Sequence, residues 1–428
     1  MSLIAAVSIG IGGMIGAGVF SILGVVAEAS GGAMWLSFLI GGIVALFSTY
    51  SYAKLGAKFP TAGGAVEFLV KGWGSGITSG GLNLFMWIGY VIAIALYAQG
   101  FSSYALTFFA GSASPIVTKA VACGAVILFT MLNMLGAGDV GKAETFIVAV
   151  KVTILVLFAG AGLFFIHPAN LSPVHWNSTE YVFFGAGVLF IGYEGFGLIT
   201  NAAANMESPE KNLPKALYIA VFIVILIYLA VSITVTGNLT TGQIAAARDF
   251  ALAEAAKPFL GMFGFKLIAV AALFSTASAI NATLFGGSNV SYMVAKEGGL
   301  PAVFARDEIK GATGGLLITS LLVICFILFF DLAGIAMMGS GAFLLVYAAV
   351  NAGHLRILKQ TGAKAWIVVV SLVLCVIMFI ILEVYTYRKA PEAVYTMIAL
   401  LISSFVAEAL WRKFRKARFE NPPYKGGR

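Results

Sequence analysis

Gly10-Ile11-Gly12-Gly13-Met14-Ile15-Gly16-Ala17-Gly18-Val19-Phe20 decides the fold, because this run is too apolar for a surface loop and too rich in glycine for an unbroken helix. Glycine weakens a helix by roughly 1 kcal/mol relative to alanine. Gly10, Gly12, Gly13, Gly16 and Gly18 together therefore invite unwinding in the middle of a hydrophobic segment. A second segment repeats the pattern at Gly185, Gly187, Gly192, Gly195 and Gly197. Small residues also let helices pack closely, which is the structural alternative. A break has chemistry of its own: one half-helix presents unpaired N–H groups and a positive dipole end, the other unpaired carbonyls. Such a pair of ends suits both charges of a zwitterion. Backbone this bare survives at membrane depth only when protein or a water-filled cavity covers it.

The surroundings of these two segments are those of a membrane protein. Of 428 residues 60% are hydrophobic and 10% charged, with a mean hydropathy of +0.99, against about 25% charged residues in an ordinary globular domain. Windows of about 18 or more apolar residues mark spans. They fall near 3–27, 34–53, 78–108, 120–138, 145–166, 181–205, 216–238, 267–294, 315–330, 333–353, 365–382 and 393–410. The expectation is an all-α membrane protein of about twelve transmembrane helices, the first read as a span because it lacks the basic leader of a signal peptide. The broken segments are the first and sixth spans, five helices apart, as in two inverted five-helix repeats. The expected organisation is one transmembrane domain over 1–412, with repeat one near 3–166, repeat two near 181–357 and extra helices near 365–410. A basic cytoplasmic tail, 413–428, follows.

The net charge of +8 is a matter of topology. Of the 26 Lys and Arg residues, nineteen fall in loops on one side or in the tail, six fall on the other side, and Lys151 lies within a span. The basic side is the cytoplasmic one, which places both termini inside the cell and gives the charge no nucleic-acid role. Cys123, Cys325 and Cys375 are scattered, and His167, His175 and His354 cluster with nothing, so neither a metal site nor a cofactor is expected.

The run Gly12-Gly13-Met14-Ile15-Gly16-Ala17-Gly18-Val19-Phe20 resembles the broken first helix of the amino acid–polyamine–organocation (APC) transporters. Three further motifs resemble that family's loops: Phe59-Pro60-Thr61-Ala62-Gly63-Gly64, Glu207-Ser208-Pro209-Glu210-Lys211-Asn212-Leu213-Pro214-Lys215-Ala216 and Lys296-Glu297-Gly298-Gly299-Leu300-Pro301. The resemblance implies a LeuT-type fold with broken helices 1 and 6, and Lys151 is similar to the helix-5 lysine of the family's proton-coupled, broad-specificity members. It further implies that a substrate carboxylate sits on Gly16, Ala17 and Gly18 and the ammonium on carbonyls of Met14, Val188 and Ile191. Phe190 and Tyr193 become pocket or gate aromatics, with core packing as the alternative.

Lys151 and Glu194 are read as the only titratable chains inside the spans, Tyr and Cys aside. An ionisable group at that depth costs roughly 2.5–3.5 kcal/mol on insertion scales and is a functional candidate by default. Lys151 either snorkels back toward Glu144 or stands where sodium-coupled relatives hold an ion, bonding helix-1 carbonyls near Gly12 and the hydroxyl of Ser275 or, less directly, Ser278. In the second case a protonated lysine ties helix 1 to helix 8 and its deprotonation loosens them, since low polarity disfavours the charged form. Glu194 either caps unwound helix-6 backbone or serves as a second proton site or counter-ion. The resulting expectation is proton-coupled symport of amino acids at the cell membrane, broad for neutral side chains, by alternating access, with the proton as coupling ion. The alternatives are an exchanger or a cationic amino-acid transporter using Glu194. A channel would show rings of polar residues and an intramembrane enzyme a nucleophile with a base or metal, and the sequence carries neither.

Overall fold

The computed structural model describes residues 1–61, 63–109, 114–134, 140–296, 300, 304, 307–309 and 312–420. Among them eleven helices are long and apolar enough to cross a membrane, and Gly314–Phe329 is a shorter apolar helix. We number the twelve in chain order: α1 (Leu3–Ser21), α2 (Met34–Lys58), α3 (Ile77–Leu106), α4 (Pro115–Met134), α5 (Val140–Gly162) and α6 (Thr179–Asn201). The second half comprises α7 (Pro209–Asn238), α8 (Lys257–Lys296), α9 (Gly314–Phe329), α10 (Leu332–Arg356), α11 (Ala365–Lys389) and α12 (Pro391–Glu420). A two-stranded turn, Asp307–Ile309 with Ala312–Thr313, is the one strand pairing among the described residues. α12 continues to Glu420, so the first residues of the expected tail are helical.

The helices sort by what surrounds them. Nearly the whole apolar stretch of α3 and of α6 is buried, whereas α4, α11 and α12 turn side chains such as Ile116, Val373 and Ile402 outward, as lipid-facing helices do. The inner helices therefore position the site. Gly64, in the loop after α2, has φ +48°, a conformation favouring glycine, and a Cβ there would overlap the Asn201 side chain. That loop is seated on the end of α6.

Both glycine-rich segments are interrupted, but differently. α1 runs as helix over Leu3–Met14, opens at Ile15 (ψ 65°) and Gly16 (φ −105°, ψ −133°), and resumes at Ala17–Ser21; beyond Ile22, whose backbone stays right-handed, Leu23–Ser30 continues. α6 is regular over Thr179–Val188, tightens into 3-10 turns at Leu189–Gly192 and Glu194–Phe196, and resumes at Gly197–Asn201. The expected unwinding of α6 is thus an overwinding. A 3-10 turn keeps a hydrogen bond per residue through the closer carbonyl, as Tyr193 N–H does on Phe190 at 2.9 Å, so the chain stays helical while its regular ladder is lost.

The expectation that Lys151 and Glu194 are the only charged chains inside the spans does not hold. Glu383 lies in α11, one residue past the expected end of that span, and Glu408 lies in α12, fully buried and bonded to Arg412 at 2.5 Å. Arg412, one helical turn away, offsets its charge.

Candidate functional site

The two interruptions cross each other backbone to backbone. A Cβ on Gly13 would stand 3.1 Å from Gly195 Cα, and one on Gly18 would stand 2.5 Å from Gly192 Cα. These contacts bracket Ile15 and Gly16, so the glycines serve close packing and the break at once. Loss of the regular ladder leaves carbonyls that need donors, and an unmet buried polar group costs about 1–3 kcal/mol.

Side chains from four other helices supply those donors. Lys151 Nζ on α5 donates to the Gly12 carbonyl at 2.9 Å, and the Ser275 hydroxyl on α8 donates to Ile15 at 2.5 Å. The Tyr228 hydroxyl on α7 lies 2.5 Å from the Met14 carbonyl and 3.0 Å from that of Gly192, spanning both interruptions. On α10, Ser340 donates to Val188 at 2.6 Å and accepts the Ile191 N–H at 3.0 Å, and the Tyr347 hydroxyl donates to the Glu194 carbonyl at 2.8 Å. Every one of these side chains is buried.

This arrangement places the expected site residues as follows. Lys151, 1% exposed, reaches Gly12; the Glu144 side chain lies outside the described residues. Ser275 bonds Ile15 directly, so α8 is tied to α1 without Lys151 as intermediary; Ser278, one turn along, is buried too. The Gly16 N–H turns back onto the Met14 carbonyl at 2.9 Å, which removes it from the donors expected for a carboxylate. Gly18 lies in the first turn of the resumed helix; Ala17 opens that helix, and its side chain lies outside the described residues. The Met14 carbonyl accepts both the Gly16 N–H and the Tyr228 hydroxyl, and the Val188 carbonyl accepts the Ser340 hydroxyl. The Tyr193 N–H, bonded to Phe190, is shared with the Ile191 carbonyl.

Phe190 packs its ring on Tyr347, and Tyr193 sends its hydroxyl to the Phe38 carbonyl at 2.8 Å with its ring against Tyr228, so both aromatics are core members here. Glu194 is 2% exposed, and its carboxylate makes no hydrogen bond among the described residues. It therefore does not cap the α6 turns; Tyr347 meets the backbone carbonyl of the same residue. Tyr228, Ser340 and Tyr347 were missed in the sequence, where each reads as an isolated polar residue in an apolar run. The one available signal is the small-residue triplet Gly339-Ser340-Gly341, one of several such triplets in the spans.

A cleft of about 450 Å³ opens at the start of α10 on the side expected to face outward, lined by Glu28, Lys119, Phe184, Asp331, Met337 and Lys389. Asp331 caps α10 by accepting the Gly334 N–H at 2.8 Å. Met337 stands three residues before Ser340 on α10 and Phe184 four before Val188 on α6, so the cleft descends along both helices toward the interruption. Among the described residues no three His, Cys, Asp or Glu side chains group as a metal site would.

Comparison with known proteins places this geometry among transporters. A family model described as amino acid permease matches residues 1–407. The chain is 40% identical over 425 residues to an uncharacterized protein of Methanocaldococcus jannaschii, covering 99% of this chain and 98% of the other. It is 31% identical to the inner membrane transport protein YbaT of Escherichia coli K12, covering 95% of each. A mutant manganese transporter from Eremococcus coleocola superposes with a TM-score of 0.59 at 13% identity over 95% of both chains, a likeness of fold.

Proposed function

Because the chain belongs to the amino acid permease family within the APC superfamily, and is a multi-pass membrane transporter with a LeuT-type fold, we propose that it is a proton-coupled symporter of amino acids. Its substrates are neutral L-amino acids of varied side chain, and it works by alternating access in the cell membrane with both termini cytoplasmic. Two inverted five-helix repeats rock about the crossing of α1 and α6.

One observation carries this reading: a buried lysine on α5 bonded to the carbonyl of Gly12, two residues before the α1 break. A protonated amine makes a charge-assisted bond there, and loss of the proton removes that part of the attraction. The proton so steadies the first half of α1, and a proton gradient drives the change without a bound metal. Substrate carboxylate would meet the N–H groups of Ala17 and Gly18 at the start of the resumed helix. Its ammonium would compete with the Tyr228 and Ser340 hydroxyls for the carbonyls of Met14 and Val188.

The test is uptake of a panel of labelled amino acids into proteoliposomes under an imposed proton gradient, an imposed sodium gradient, or internal amino acid. Concentrative uptake with protons alone supports the proposal; uptake that needs sodium, or only internal amino acid, overturns the coupling. A second reading rests on Glu194, whose buried carboxylate has no hydrogen-bond partner among the described residues. It suits a cationic substrate or an exchange cycle, and lysine or arginine in the panel tests it.

A further inference from the structure

Helix α10 touches the α6 interruption through the triplet Gly339-Ser340-Gly341. A Cβ on Gly339 would overlap the Ile191 side chain, and one on Gly341 would lie 2.5 Å from the Glu383 carboxylate and 2.7 Å from Met397 Sδ. α10 is thereby held between α6 on one face and α11 and α12 on the other, and a larger residue on either side of the serine would have to push the Ile191, Glu383 or Met397 side chains aside. At that separation one hydroxyl reaches both ends of the 3-10 turn: Ser340 donates to Val188 and accepts from Ile191 N–H, three residues apart. Serine suits this position because a hydroxyl is at once a donor and an acceptor, and no apolar residue can meet either demand.

We propose that Ser340 is a positioning residue for transport: it holds the Leu189–Gly192 turn of α6 in the shape that presents backbone groups to the amino-acid moiety of the substrate. The inference rests on the reading that α6 backbone meets the substrate. Ser340 fixes main-chain groups and no part of the side-chain pocket, so its removal weakens all substrates alike. Each of its two bonds is buried, and an alanine removes the side-chain bond from both the Val188 carbonyl and the Ile191 N–H.

The experiment compares native protein, Ser340→Ala, Ser340→Thr and a control, Ser404→Ala, whose hydroxyl bonds the Leu400 carbonyl of its own helix α12. Two readouts are taken: initial uptake rates in proteoliposomes for alanine, leucine and phenylalanine, and hydrogen exchange of the 188–196 segment in detergent without substrate. Ser340→Ala is expected to raise KM about tenfold for each substrate, with Vmax changed less, and to speed exchange of the segment by a similar factor. Ser340→Thr, which keeps the hydroxyl, recovers most of both effects, and Ser404→Ala moves neither.

Exchange of 188–196 as slow in Ser340→Ala as in native protein overturns the clip whatever the transport data show. Faster exchange with an unaltered KM for substrates that the native protein carries overturns the positioning role. A KM change confined to one substrate overturns the claim that main-chain groups are what Ser340 sets. Native protein that carries none of the three amino acids fails the functional reading, and the exchange data then decide the clip alone.

Discussion

Gly18 of α1 and Gly192 of α6 meet through their backbones, with the Gly192 Cα 2.5 Å from where a Gly18 side chain would begin. The neighbouring atom is main chain, so nothing can swing aside. Gly18→Ala should cut uptake at least about tenfold, and Gly18→Val should abolish it while leaving a folded protein, because overpacking costs about 1–3 kcal/mol. Substrate binding to the purified valine variant is the check; near-native affinity would remove the carboxylate site from this crossing.

Lys151 is the second test. Lys151→Ala removes both the cation and the donor on Gly12, so accumulation driven by a proton gradient should vanish while substrate still binds. Lys151→Arg should also fail to couple, since a guanidinium keeps its proton and demands a planar fork of acceptors. Binding and concentrative uptake are measured across pH, with and without sodium. pH-dependent accumulation by the alanine variant would sink the lysine-coupled mechanism.

Tyr228 spans the two interruptions with one hydroxyl. Tyr228→Phe keeps the ring against Tyr193 and Phe38 and deletes only that bridge. Two buried carbonyls then lose their shared donor. A fall in melting temperature worth about 1–3 kcal/mol is expected, with a higher KM. If both stay native, the hydroxyl has no hold on the crossing.

Glu194→Gln separates the two readings of that residue. Because its carboxylate caps no backbone among the described residues, the amide variant should fold and retain proton-driven uptake of neutral amino acids. Uptake of lysine or arginine, where the native protein shows it, should drop. A variant that loses pH dependence while Lys151 variants keep it would transfer the coupling role to Glu194.

Asp249 lies in the turn Arg248–Phe250 between α7 and α8, and burial raises its carboxyl above the usual range while the Ser103 hydroxyl, 3.0 Å away, opposes that rise. The folded chain then holds the proton more tightly than the unfolded chain. Stability is fully present below the ordinary value of 3.8 and is lost as pH rises through the raised one. Asp249→Asn keeps an acceptor for Ser103 and removes the ionisation, so its melting temperature should exceed the native one at pH 7 and approach it in acid. Parallel melting curves across pH would refute this.

The breaks, the twelve helices and the buried lysine were legible because each leaves a mark in composition: clustered glycine, long apolar runs, one charge among them. The partners of the breaks were not. Tyr228, Ser340 and Tyr347 sit in α7 and α10, helices that read as ordinary spans, and only the folded arrangement aims their hydroxyls at carbonyls of α1 and α6. Nor could glycine content distinguish the opened backbone at Gly16 from the 3-10 turns of α6, since it removes helix preference without choosing what replaces it. Glu408 is a further buried charge within a span, paired with Arg412 one turn away.

The hydroxyls and the lysine that meet the interruptions have a kinetic consequence. With Tyr228, Ser275, Ser340, Tyr347 and Lys151 already on the carbonyls, the unloaded carrier leaves these backbone groups satisfied and is not destabilised by their exposure. An obligatory exchanger depends on the empty form being too unfavourable to turn around. Under the proposed symport cycle that penalty would be removed from the return half, so the carrier would come back empty and each turn would deliver net cargo.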